Sequence, residues 1–225
     1  MRHFLLSLII FISCMLSPGA DGGAMRFASG YEPVFSISYI DEITFDRING
    51  LTWRPGCPVA VDDLRLLRLT YVDFDMNVQE GELICHRLFA EELTEIFSEL
   101  YEAGFPIGGI RLIDEFGADD GLSMQANNCS AFNYRTVGGS QNLSRHAYGA
   151  AVDLNPVQNP YTDNRGAYVS PEAGREYLDR GDIRPGMITP GGVAHRAFTS
   201  RGWTWGGDWI YQIDYHHFQK ALPTE

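Results

Sequence analysis

The sequence predicts an α+β fold, a small and mainly antiparallel sheet with helices on one side, from three observations. One strongly amphipathic helix is legible after residue 88, several short strand-like runs flank it, and no regular crossover helices separate those runs. A chain of 225 residues is long enough for one substantial core.

At the N-terminus, Met1, Arg2 and His3 lead into an apolar run from Phe4 to Met15, followed by the small residues Ser17, Gly19, Ala20 and Ala24. This pattern predicts a secretory signal peptide over residues 1–24, hence export to a periplasmic or extracellular location, and the run is too short to span a bilayer. Cys14 offers a poor match to a lipoprotein attachment site as the alternative. After processing, no stable membrane insertion is expected. Residues 25–52 mix aromatics with glycine and proline without a helical period, and are expected to form an N-terminal arm, extended or in short strands, on a domain covering 53–225.

Leu67, Leu69 and Tyr71 alternate with their neighbours as a strand does. From Leu88, the residues Phe89, Leu93, Ile96, Phe97 and Leu100 recur at helical spacing, Glu91 and Glu92 suit a first turn, and Gly104 and Pro106 end the helix. A strand is expected over 110–113, then a long irregular segment over 114–142, a strand over 149–154, one or two helical turns over 193–200 and aromatic strand pairs over 203–218.

Seventeen basic and 29 acidic residues give a net charge of −12, and the one lysine is Lys220, so no basic patch supports a nucleic-acid partner. Beyond the signal only Cys57, Cys85 and Cys129 remain, an odd number that allows one disulfide plus a free thiol or three small buried hydrophobes. Asn128 and Asn142 each open a glycosylation sequon, a pattern that arises often by chance. Oligomeric state is not legible.

The chemistry-bearing residues fall in two places. In the run from Ser144 to Asp153, Gly149, Ala150 and Ala151 permit a tight turn, so His146 and Asp153 can converge on one cation. Near the chain end, Asp214-Tyr215-His216-His217-Phe218 offers an imidazole to complete a two-His, one-carboxylate set with an open position for water, and a carboxylate able to take its proton. Spacing alone leaves open whether a metal binds. Ser144 lacks a nucleophile elbow and suits a turn or hydrogen bond, while His86 and His195 suit structural roles. Trp203, Trp205 and Trp209 could line a groove or fill a core, and Asp119 and Asp120 match a calcium loop only superficially.

The pattern SxHxxGxAxD, met by Ser144, His146, Gly149, Ala151 and Asp153, with a late [DE]xxH followed by Phe218, resembles the M15 zinc peptidases. These include D-alanyl-D-alanine carboxypeptidases and L-alanyl-D-glutamate endopeptidases. Gly56-Cys57-Pro58-Val59, Phe105-Pro106-Ile107, Phe132-Asn133-Tyr134-Arg135, Asn155-Pro156 and Trp205-Gly206-Gly207-Asp208-Trp209 extend the similarity to the VanY-type branch over about residues 53–220. The resemblance implies a hedgehog/DD-peptidase-like fold, zinc held by His146, Asp153 and His217, Asp214 as general base, Arg135 on the substrate or oxyanion, and a peptidoglycan peptide as substrate. Phe218 follows His217 as the pattern requires, favouring it over His216; on a regular strand Asp214 would share a face with His216, so a bulge or strand end is expected between them. The alternative function is a non-catalytic, zinc-stabilised binding module on the same scaffold, as hedgehog domains illustrate.

Overall fold

The computed structural model describes residues 31–163 and 165–223; residues 1–24, read from the sequence as a signal peptide, and with them Cys14, lie outside the described residues. The fold is α+β, and its sheets are small and antiparallel, as expected.

The first sheet joins β1 (Phe35–Ser38), β2 (Leu64–Val72) and β3 (Val78–His86) in that order. Side chains on β2 alternate between two cores. Leu67, Leu69 and Tyr71 face the larger one with Phe89, Leu93, Ile96, Phe97 and Leu100 of the predicted helix and its entry turn. That helix is α2 (Ala90–Glu102), entered through a 3-10 turn over Arg87–Phe89. Leu64 and Leu66 face a smaller core with Ile48 and Phe132. Ile48 ends α1 (Glu42–Ile48), so the segment read as an arm holds β1 and a helix, and contributes a fully buried side chain.

Two expectations are corrected. Residues 110–113 form no strand: Ile110 makes one isolated bridge to Cys129, and Ile113–Phe116 is a 3-10 helix. The reason is local, because the Asn128 side chain takes both backbone groups of Arg111, accepting from its N–H at 2.8 Å and donating to its carbonyl at 2.9 Å. An amide side chain thus replaces the neighbouring strand. The segment 114–142 is not wholly irregular either, since α3 (Asp120–Gln125) forms there with Asp119 accepting from Leu122 N–H as its N-cap.

Asn128 is 1% exposed and fully engaged, which makes its sequon inaccessible in the folded chain. Cys57, Cys85 and Cys129 are free thiols, and Cys85 and Cys129 are buried in the larger core, where desolvation pushes both thiols up. No helix among the described residues is long and apolar enough to cross a membrane.

His86 has the structural role expected of it. Its Nδ1 accepts from Leu88 N–H at 3.2 Å and caps the turn before α2. Burial lowers its pKa from 6.5, ahead of an opposing pull from Asp63. The folded state therefore binds the neutral ring, and its contribution to stability is present above pH 6.5 and lost as pH falls. His86→Asn, which keeps a capping acceptor that does not titrate, is expected to flatten the fall in Tm between about pH 7.5 and 5.5; an unchanged slope contradicts this.

Candidate active site

His146 lies on a 3-10 turn over Arg145–Tyr148. Ser144 caps this turn, its hydroxyl accepting from His146 N–H at 3.3 Å. Gly149 closes it at φ 59°, where a Cβ would stand 2.5 Å from the backbone nitrogen of His86. Glycine is required there by both conformation and space.

Asp153 ends β4 (Ala151–Asp153), which pairs with β9 (His217–Gln219) so that Asp153 and His217 are direct cross-strand partners. The remaining strand of that sheet, β7 (Thr204–Trp205), lies on the other side of β9. Asp214 belongs to a different sheet, made of β6 (Val169–Ser170), β5 (Tyr161–Asp163) and β8 (Gln212–Asp214), and sits opposite Tyr161. The strand end expected between Asp214 and His217 is therefore present, with Tyr215 and His216 as the turn linking two sheets.

Buried groups fix that turn. Trp205 donates to the Tyr215 carbonyl at 2.8 Å, Leu154 N–H donates to the His216 carbonyl at 3.0 Å, and Phe218 stacks on Phe198 with centroids 4.1 Å apart. Trp203 and Trp205 are core residues, while Trp209 is 38% exposed and packs its ring 5.5 Å from that of His217. The three tryptophans thus divide between the two expected roles. His195 accepts from Gly191 N–H at 3.3 Å and meets Trp205 edge-on, a structural placement.

The structure brings His146, Asp153 and His217 together, with one ligand atom from each lying within 4.8 Å of the others, all buried. His146 Nε2 is 3.2 Å from Asp153 Oδ2 and 3.3 Å from His217 Nδ1, which is 2.9 Å from Asp153 Oδ1. Zinc bonds of about 2.0–2.1 Å in a tetrahedron put neighbouring ligand atoms about 3.3 Å apart, close to these separations.

Proton placement supports the same fit. The Ala131 carbonyl can only accept, so His146 Nδ1 carries the hydrogen, and Gln219 Oε1, 3.2 Å away, likewise accepts from His217 Nε2. The lone pairs of His146 Nε2 and His217 Nδ1 are then turned toward each other and toward a carboxylate. Three electron-rich atoms gathered in this way form a donor set that could hold a metal ion. Protons answer the same field: burial opposes charge on His217, yet Asp153 holds its imidazole above the ordinary value. Burial alone would raise Asp153, but the charges of His146 and His216 and hydrogen bonds from His146 and His217 keep it well below the usual carboxylate range.

His216 is oriented differently. Its Nδ1–H donates to the Asn159 carbonyl at 2.8 Å, and its Nε2 is 2.9 Å from Asp214 Oδ1 but 3.9 Å from Asp153. Burial disfavours its charge, but Asp214 and Asp153 carry it up to about 10. The 2.9 Å contact pairs the charged His216 imidazole with Asp214 Oδ1.

These groups line a groove of about 630 Å³ together with Arg135, Tyr161, Asp163, Tyr168 and Trp209. That volume suits a peptide-sized ligand. Arg135 reaches the groove, but its Nη2 pairs with Asp120 Oδ2 at 2.9 Å and its buried Nε has no partner. Sequence reading missed Asp120 as the partner of Arg135 and Asn159 as the support for His216; neither belongs to a spaced motif that could have shown it.

A groove floored by two imidazoles and a carboxylate, with a further carboxylate beside them, defines a hydrolase-type site able to hold a metal. Residues 138–220 match the family model described as D-alanyl-D-alanine carboxypeptidase, of the M15 peptidases, and this match supports an M15-family peptidase that acts at family level on cell-wall peptides of the D-Ala-D-Ala type. No curated protein and no solved structure matches the chain. The matched segment contains His146, Asp153, Asp214 and His217, whereas Arg135 lies just before it.

Proposed function

We propose that the chain is an exported zinc metallopeptidase that hydrolyses a peptide bond in peptidoglycan stem peptides. The observation that carries this reading is the convergence of the His146 and His217 lone pairs on Asp153 in the floor of a peptide-sized groove, with Asp214 beside them.

His146, Asp153 and His217 would hold the zinc. When bound, the ion supplies a water whose pKa falls to about 7 and polarises the carbonyl to be attacked. Asp214 accepts the proton that the attacking water loses and returns it to the amine nitrogen as the C–N bond breaks. Its carboxylate lines the same groove as the three converging groups, where it can receive that proton. The Arg135 guanidinium faces the groove and donates to the negative oxygen that develops at the carbonyl, with Asp120 steadying it. Ala131 and Gln219 keep the two imidazoles in the required tautomer.

A net charge of −12 gives an anionic wall polymer no general attraction, so recognition rests on groups inside the groove. The binding-module reading draws support from one contact: Asp214 sits 2.9 Å from His216, which a purely structural carboxylate would also do. Chromatography of a synthetic stem pentapeptide incubated with the full chain separates the two. A shorter peptide is expected with zinc and not after chelation, and an intact peptide despite bound zinc supports the module.

A further inference from the structure

Two arginines line the groove, and they differ in their partners. Arg135 is held by Asp120, whereas Arg145 has no ion pair and no side-chain hydrogen bond among the described residues. Arg145 is exposed and occupies the first position of the turn that carries His146, a turn fixed by Ser144 at its start and Gly149 at its end. Its backbone is therefore as firmly placed as that of His146, while its guanidinium is free to engage a ligand.

The groove is also polarised. The β5 and β8 strands contribute Asp163 and Asp214 to its lining and no arginine or lysine, so positive charge comes from the segments that carry Arg135 and Arg145. An extended peptide places the next residue's backbone about 3.5 Å further along. A carboxylate at the residue just past the scissile bond thus lies about one residue's length from the groups proposed to act on that bond, and Arg145, next to His146 in sequence and lining the same groove, is the arginine there without an ion pair. The guanidinium fork matches a carboxylate in two parallel hydrogen bonds, which lysine cannot reproduce.

We propose that Arg145 binds the free α-carboxylate of the substrate's C-terminal residue and so selects removal of a terminal residue over cleavage inside a peptide. This rests on the peptidase reading of the same groove. The test compares two synthetic stem pentapeptides, one ending in a carboxylate and one in a carboxamide, with the zinc-loaded full chain. The unmodified chain is expected to favour the carboxylate peptide in kcat/KM by about tenfold to a hundredfold, the range for a charged hydrogen-bonded pair. Arg145→Gln is expected to bring that ratio below about threefold, mainly through KM, and Arg145→Lys to restore part of it. Zinc content and Tm, measured alongside, show that both variants are folded and loaded. Equal cleavage of both peptides by the unmodified chain, or a preference that survives in Arg145→Gln, overturns the assignment while leaving the peptidase reading in place. Cleavage of neither peptide overturns both.

Discussion

Asp214→Ala is expected to retain about one zinc per chain and to lose about a hundredfold to ten-thousandfold in kcat, the range associated with removing a positioned general base. The two halves of this result have separate structural origins. Metal is retained because Asp214 is not among the three converging groups and belongs to a different sheet from Asp153 and His217. Activity is lost because the Asp214 carboxylate lines the groove with that cluster and is the group proposed to take the proton of the attacking water. Asp214→Asn serves as the control for packing, since it keeps the shape and the neighbourhood of His216 but cannot accept a proton. It should lose as much as the alanine variant. Activity near that of the unmodified chain in Asp214→Asn would remove Asp214 from the proposed mechanism.

The second large effect separates two adjacent histidines. His217→Ala is expected to weaken zinc binding by more than a hundredfold, beyond the tenfold to hundredfold typical of losing a group that merely supports a ligand. His216→Ala is expected to keep zinc close to the original affinity while losing about 1–3 kcal/mol of stability, because it removes the partner of the buried Asn159 carbonyl and the charge next to Asp214. The geometry sets this order: His217 Nδ1 is 2.9 Å from Asp153, whereas His216 Nε2 is 3.9 Å away and faces Asp214. Equilibrium dialysis against a zinc buffer with a metal readout checks both variants, and the reverse pattern would reassign the ligand.

Much of the candidate site was legible in the sequence because its chemistry is carried by a short spaced pattern. Ser144, His146, Gly149 and Asp153 form one capped turn and the strand after it, so spacing along the chain translates directly into position. The Asp214 to His217 step was harder to read. Alternation on a single strand pairs Asp214 with His216, and only a break between two sheets turns His217 toward Asp153. The α2 helix was legible from its apolar period: Leu93, Ile96, Phe97 and Leu100, which the pattern names, are buried, together with Ala90 and Tyr101, which it does not. Residues 110–113 misled because their apolar content suits a strand, while the Asn128 side chain fills the place a strand partner would take. Likewise α1 and α3 are short, and their signals are single capping aspartates, Asp41 and Asp119, that stand out little among 29 acidic residues.

The central claim is that a cation sits among His146, Asp153 and His217. Anomalous scattering at the zinc edge, from crystals of the zinc-loaded full chain, tests this directly. One strong peak is expected within bonding distance of His146 Nε2, an Asp153 carboxylate oxygen and His217 Nδ1, about 2.0–2.2 Å from each. A fully loaded chain whose zinc peak lies elsewhere, or is bonded by His216 in place of His217, would contradict the account.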